Sequence, residues 1–319
     1  LSSPLKPVTV KVARMEATGM AQPNRRPVVH STSSAEHFLE RMETLLLAQE
    51  ARYGLMLGIA LTVLRQPEFY SRNVPYFAIA EDREGIAAAA CMTPPYGLIV
   101  YCERQENEPG LRAIAETLLA QGWALPTVNG PEPICTHFAA IWSEMAQVKS
   151  EVSVRERTFE LRQVIHPTYS PGHLRQANMD DLELLVQWHL AFIEEALHDV
   201  EQTTPEESRR KLQTRIEQSM LYVWEDEEIV SWAGTTRPTT HGICIGPVYT
   251  PPQFRGRGYA SSCVAAVSQQ LLDQGYEFCT LFTDLANPIS NHIYQAIGYR
   301  PICDYTVYSF TALDSAKAQ

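Results

Sequence analysis

The chain has 319 residues, of which 45% are hydrophobic and 20% charged, and a formal net charge of −11. That length suits roughly two domains of ~100–200 residues each, and the apolar share suits packed cores. The acidic balance argues against a nucleic-acid platform, which needs a basic face, and no apolar run reaches the ~18 residues of a membrane span. The longest candidate, "LMLGIALTVL" (Leu55–Leu64), reads as a buried helix.

The first 34 residues are rich in Pro, Ser and basic side chains and carry no apolar core of a signal peptide. They read as a poorly ordered lead-in. The seven cysteines form no CxxC pair, and the nine histidines show no ligand spacing such as HExxH. The expectation is a cytoplasmic protein with reduced, buried cysteines and no metal.

From residue 35 the elements come in two similar series. "PYFAIAED", "GIAAAACMT" and "YGLIVYC" read as three short strands, followed by a helix ending in "IAETLLAQGW". "LPTVNG" reads as a further strand, "PEPICTHFAAIWSEM" as a helix and "VSVRERTFELRQVI" as a closing strand. Pro and Gly then cluster in "HPTYSPGH", His166–His173, which marks a boundary. Beyond it a helical stretch is led by Asp180 and Asp181. A second helix is introduced by Thr204 as cap and Pro205 in its first turn.

"LYVWED", "EIVSWAGTT" and "HGICIGPVYT" are again three strands. A helix ending in "VSQQLLDQGY" follows, 153 residues after its counterpart with the same Leu-Leu-x-Gln-Gly-aromatic ending. "EFCTLFTDL", "NPISNHIYQAIG" and "PICDYTVYSF" complete the series as strand, helix and strand. The expected fold is α/β: two tandem domains, 35–165 and 166–319, each a mixed, mostly antiparallel sheet flanked by helices.

Between the third strand and the long helix of the second series lies "TPPQFRGRGYASS", Thr250–Ser262. Gly256 and Gly258 permit a tight turn and close approach of a ligand to the backbone. The helix behind them offers unpaired N–H groups and the positive end of its dipole, which suits an anion such as phosphate. Arg255 and Arg257 add charge. The alternative is a plain turn with solubilising arginines. A Rossmann fingerprint is a poor match, with Ser261 at the third glycine position, and a P-loop fails for lack of Gly-Lys-Ser/Thr.

"PVYTPPQFRGRGYA" resembles the acetyl-CoA-binding motif of the GNAT acetyltransferase superfamily, Q/R-x-x-G-x-G/A between a strand and a helix, at Gln253, Gly256 and Gly258. "NPISNHIYQAIGY" resembles the family's later helix, with Asn287, Ser290, Tyr294, Gly298 and Tyr299 at its spacing. The resemblance runs from about Gly172 to Phe310. It implies direct acyl transfer from acetyl-CoA to an amine of a small molecule or peptide, without metal, nucleic acid or membrane as partner. Val248, Tyr249 and Thr250 would pair with pantetheine like an added strand, and the amides of Arg255, Gly256, Arg257, Gly258, Tyr259 and Ala260 would cradle the pyrophosphate. An N–H near Val248 would meet the developing oxyanion.

Asn287 would contact the cofactor and Tyr294 would protonate the leaving thiolate. On the residues alone, Asn287 also suits a helix cap and Tyr294 a core position. Many relatives carry a glutamate on the strand before the glycine turn, but "HGICIGPVYT" has none. His241, Glu194, Glu195, Glu225 or a water relay remain candidates for the base. A CoA-binding sensor without turnover is the alternative function. In the first series Glu103 and Gln105 fall where Gly256 and Gly258 stand, so 35–165 is expected to be a degenerate GNAT-like repeat without a CoA site.

Overall fold

A computed structural model describes residues 26–70, 73–103, 108–196 and 203–313. The first half runs β1 (Val28–Thr32), α1 (Ala35–Leu47), α2 (Glu50–Arg65), β2 (Tyr76–Asp82), β3 (Gly85–Met92), β4 (Leu98–Cys102), α3 (Glu108–Ala120), β5 (Thr127–Pro131), α4 (Ile134–Ala146) and β6 (Val148–Leu161). The second half repeats this order: β7 (His173–Gln176), α5 (Leu182–Ala196), α6 (Pro205–Glu217), β8 (Leu221–Asp226), β9 (Glu228–Thr236), β10 (Gly242–Tyr249), α7 (Tyr259–Asp273), β11 (Phe278–Asp284), α8 (Pro288–Ala296) and β12 (Arg300–Ala312).

Local chemistry accounts for these elements. Thr204 and Glu207 close a capping box at the start of α6, with Pro205 in its first turn, and Ser208, Leu212 and Ile216 then bury one helical stripe at spacings of four. In α7 the buried Cys263, Val264, Val267 and Leu271 recur at helical spacing and pack on the sheet. The alanine run of β3 is a strand because its small side chains let α3 lie close. A Cβ added at Gly110 of α3 would stand only 3.0 Å from that of Ala87.

The strands form one continuous sheet, ordered β1-β2-β3-β4-β5-β12-β6-β11-β10-β9-β8-β7. The halves have exchanged their last strands. β6, from the first half, pairs antiparallel with β11, and β12, from the second, pairs antiparallel with β5. β6 and β12 pair with each other from Glu160 opposite Arg300 to Val148 opposite Ala312. A division at 165/166 therefore separates the helices of the two halves but not their strands.

Further contacts join the halves. Arg157 donates two hydrogen bonds to Asp304, at 2.6 and 2.9 Å. Glu50 of α2 accepts from the His241 backbone N–H at 2.8 Å and meets its ring Nδ1 at 2.7 Å.

Two strands correct the reading of the sequence. The lead-in reading of residues 1–34 fails at Val28–Thr32. These residues, including two valines, a serine and a threonine, form an edge strand on β2, from Val28 opposite Glu81 to Thr32 opposite Phe77. Residues 1–25 of that lead-in lie outside the described residues. No element was expected between the boundary at His166–His173 and Asp180, and a short strand lies there. His173–Gln176 pairs antiparallel with β8, and an Asn178–Asp181 capping box starts the helix only afterwards.

The exchange predicts that the halves cannot fold apart. Each alone would present a long unpaired strand and an open sheet edge. Residues 26–165 and 166–319 expressed separately should be insoluble or lack a cooperative melt, whereas co-expression should yield a 1:1 complex on size exclusion. Two separately stable monomers would show that the exchanged strands are dispensable.

Candidate functional site

β10 and β11 run parallel only from Gly242–Cys244 opposite Phe278–Thr280. Beyond Cys244 they separate, while β10 stays on β9 through a bulge between Ile245 and Val248. Gly246 sits in the bulge, and its carbonyl accepts from Arg215 at 3.1 Å. Among the described residues, the β11-facing backbone of Ile245–Tyr249 thus has no strand partner. The gap opens into a cavity of about 650 Å³, walled by β10, β11, β6 and the adjoining ends of α5, α7 and α8.

At one end of the cavity the chain turns through Gly256 and Gly258, with φ of 76° and 80°. Side chains rarely adopt this left-handed region. Gly258 is the residue before the first turn of α7, and no side chain caps that turn. Ser170, from the segment between the halves, pins the turn. Its hydroxyl donates to the Arg257 carbonyl at 2.7 Å, and its backbone N–H donates to Ser262 Oγ at 2.9 Å. Uncapped first-turn N–H groups at the positive end of a 15-residue helix suit an anion.

The expected cofactor-side residues fall in two groups. Val248, Tyr249, Thr250, Arg255, Gly256, Gly258, Tyr259, Ala260, Asn287 and Tyr294 all line the cavity. Gln253 and Arg257 are exposed and lie off its wall. Arg255 lines it but is engaged: its guanidinium donates to Glu195 at 2.6 Å and to the Thr250 carbonyl at 2.8 Å, 5.6 Å from the Tyr249 ring centre. Asn287 caps α8 by accepting from the Ser290 N–H at 3.0 Å. Tyr294 is the one buried residue of α8 and packs edge-on against Tyr299. Burial pushes its phenol up to about 12, so it stays protonated at neutral pH.

The carboxylates and the histidine weighed as bases are otherwise occupied or exposed. Although burial pushes Glu195 up, hydrogen bonds from Arg255 and from the Tyr249 hydroxyl, at 2.7 Å, hold it below the usual range. Glu225 is paired with Arg175, His241 with Glu50, and Glu194 is exposed. The Cys263 thiol is fully buried and pushed up to about 12 by that burial, which suits a core residue rather than a nucleophile.

A residue that the sequence did not single out stands in the cavity wall. Glu156 of β6 lines it beside Val154, from the same face of the exchanged strand. It lies opposite Asp284 on β11 and Tyr305 on β12. Burial raises its carboxyl to about 7. The nearby Arg237 charge opposes the rise and Asp284 adds to it. Its alternation with Val154 and Thr158 was visible in "VSVRERTFEL", but nothing in that stretch indicated that it would lie next to β11.

In the first half the stretch equivalent to the glycine turn, with Gln105, lies outside the described residues. There β4 and β5 pair only at Leu98–Val128 and Ile99–Asn129. The side chain of Tyr53 from α2 donates to the Cys102 carbonyl at 3.2 Å and packs on Tyr101, ring centres 4.6 Å apart.

Residues 183–299 match the model of the acetyltransferase (GNAT) family. Solved structures of similar fold include a GCN5-related N-acetyltransferase from Sphaerobacter thermophilus, 14% identical, TM-score 0.60, with 91% of this chain and 98% of that one aligned. A Drosophila protein reaches TM-score 0.62 at 13% identity over 89% and 98% of the two chains. A tandem GNAT protein from the clavulanic acid biosynthesis pathway reaches 0.56 at 11% identity over 88% and 98%. No curated protein sequence matches the chain significantly. The GNAT acetyltransferase family model thus accounts for residues 183–299, within a chain whose fold is similar to that of a tandem GNAT protein over 88% of its length.

Proposed function

We propose that the protein is an acetyl-CoA-dependent N-acetyltransferase acting on an amine of a small molecule or peptide. The observation that carries the reading is the cavity between diverging β10 and β11, with a glycine turn and an uncapped helix start at one end and a protonated tyrosine in its wall. The partnerless backbone of β10 offers hydrogen bonds to the amides of a pantetheine arm, as an added strand would. The turn at Arg255–Gly258 and the first N–H groups of α7 suit the pyrophosphate. Arg255 balances Glu195 near the turn, so the backbone rather than free arginine charge is the main anion donor.

Acyl transfer places three demands on these residues. The walls hold donor and amine together, which supplies much of the rate. A β10 backbone N–H near Val248 meets the developing oxyanion. The Tyr294 hydroxyl gives a proton to the departing thiolate, and its raised pKa keeps that proton in place at neutral pH. In the first half the Tyr53 hydroxyl stands on the Cys102 carbonyl and α3 carries Glu108 in its first turn, an acid that disfavours a pyrophosphate there. One donor site per chain follows.

Calorimetric titration with acetyl-CoA should give one site per chain, and a stoichiometry of two would overturn the asymmetry. Ser261→Glu places an acid in the first turn of α7, where it favours the helix but repels a pyrophosphate. The expected result is an unchanged or higher melting temperature with at least about tenfold weaker acetyl-CoA binding, each tenfold being about 1.4 kcal/mol. Undiminished affinity would place the anion elsewhere.

Release of free thiol from acetyl-CoA, measured with ethanolamine, spermidine, glucosamine and lysine as acceptors, tests turnover. Tyr294→Phe should then keep acetyl-CoA affinity, because the ring still packs, and slow single-turnover transfer by ~10²–10⁴-fold. A Phe variant as fast as the parent would remove Tyr294 from the reaction and leave the donor site standing.

A further inference from the structure

We propose that Glu156, carried into the second half's cleft on the exchanged strand of the first half, is the general base that takes a proton from the acceptor amine. This rests on the acetyltransferase reading of the same cavity. Its geometry is independent of the motifs that led to that reading.

Glu156 lines the cavity on β6, the strand that borders β11 where β10 and β11 have parted. Val154, Phe282 and Ile245 make the neighbouring wall apolar. Among the described residues, no hydrogen bond or ion pair holds its carboxyl oxygens. Glu195, Glu225 and Asp304 are all tied to arginines. A base must have a lone pair free to accept a substrate proton, and Glu156 meets that condition where these three do not.

Charged and titratable neighbours come from three elements. Asp284 on β11 lies directly across from it and disfavours its ionisation. Arg237, after β9, favours it; this guanidinium reaches Cys244 Sγ at 3.1 Å and stacks over Phe282, 5.9 Å from the ring centre. Tyr305 on β12 is neutral, and its hydroxyl proton is already given to the Arg52 carbonyl. With burial the largest influence, the carboxyl titrates near neutrality, where a base accepts a proton readily and returns it readily.

The Glu156 carboxylate takes one proton from R–NH3⁺, directly or through one water. The freed nitrogen lone pair attacks the thioester carbonyl carbon and a C–N bond forms. The C–S bond breaks with its electron pair going to sulfur, and the second nitrogen proton compensates the proton that Tyr294 gives the thiolate. Glu156 then releases its proton to solvent. The net change is ammonium plus acetyl-CoA to acetamide, free CoA thiol and one proton.

Two measurements on the full chain test this. In the first, difference infrared spectroscopy of wild type and Glu156→Gln across pH 5–9, without acceptor, should show a protonated-carboxyl stretch lost at about pH 7 in the wild type only. No such band would overturn the proposal even if no tested amine turns over. In the second, the fastest amine of the acceptor set is used. Wild-type kcat/KM should rise with pH to a plateau with an inflection near the same pH. Glu156→Gln should lose ~10²–10⁴-fold and that inflection, with acetyl-CoA affinity within about twofold. A variant with the parental profile would overturn the assignment. Failure of the wild type to bind acetyl-CoA is a different result, which would sink the donor site itself.

Discussion

Three residue pairs of parallel ladder between β10 and β11, and then none, are the constraint from which the rest of the site follows. An unpaired strand edge buried in a sheet is costly, because each orphaned backbone group loses water without gaining a partner. Here the edge faces an open cavity. The bulge at Gly246 and Pro247 bends β10 away while β9 still holds it on the other side. The opening is therefore built into the sheet and does not need a lid to create it. A ligand that presents amide groups along this edge satisfies what the fold leaves over.

Strand exchange makes the two halves one structure. β6 supplies the far border of the cleft, and β12 fills the equivalent place in the first half. The β6–β12 ladder and the Arg157–Asp304 pair hold the halves in a single register. Side chains alternate in direction along a strand, so that register decides which first-half residues face the cavity. A slip of one residue on β6 would turn Glu156 out and bring Arg155 or Arg157 in. The first half thus has a role in the second half's site through one strand.

Much of this was legible in the residues. The glycine turn was legible because a positive φ at Gly256 and Gly258 has few sequence solutions, and because the apolar period of α7 begins immediately after it. The ten central strands were legible because each carries its own period and its own stop signal. β1 and β7 were not. They are short edge strands, and edge strands are specified by the neighbour they cover more than by their own pattern. The exchange was not legible either. Each closing strand satisfies the same alternation whichever sheet it joins, and the choice depends on contacts made 140 residues or more away, such as Arg157 with Asp304. Arg255 shows the same limit: its charge was visible, but its neutralisation by Glu195 is a tertiary fact.

The environments of the carboxylates in and around the cleft differ for a physical reason. Glu195 has an arginine and a tyrosine hydroxyl on its oxygens, and their hydrogen bonds outweigh the burial that would raise it. Glu156 is half-buried and, among the described residues, has no such donor, while an acidic neighbour stands across the strand, so loss of water prevails. One carboxylate is thereby committed to structure beside the glycine turn, where it balances Arg255, and the other is left available between the strands. An environment that separates the affinities of two carboxylates for protons assigns them different work. In this chain the separation depends on β6 being where the strand exchange puts it.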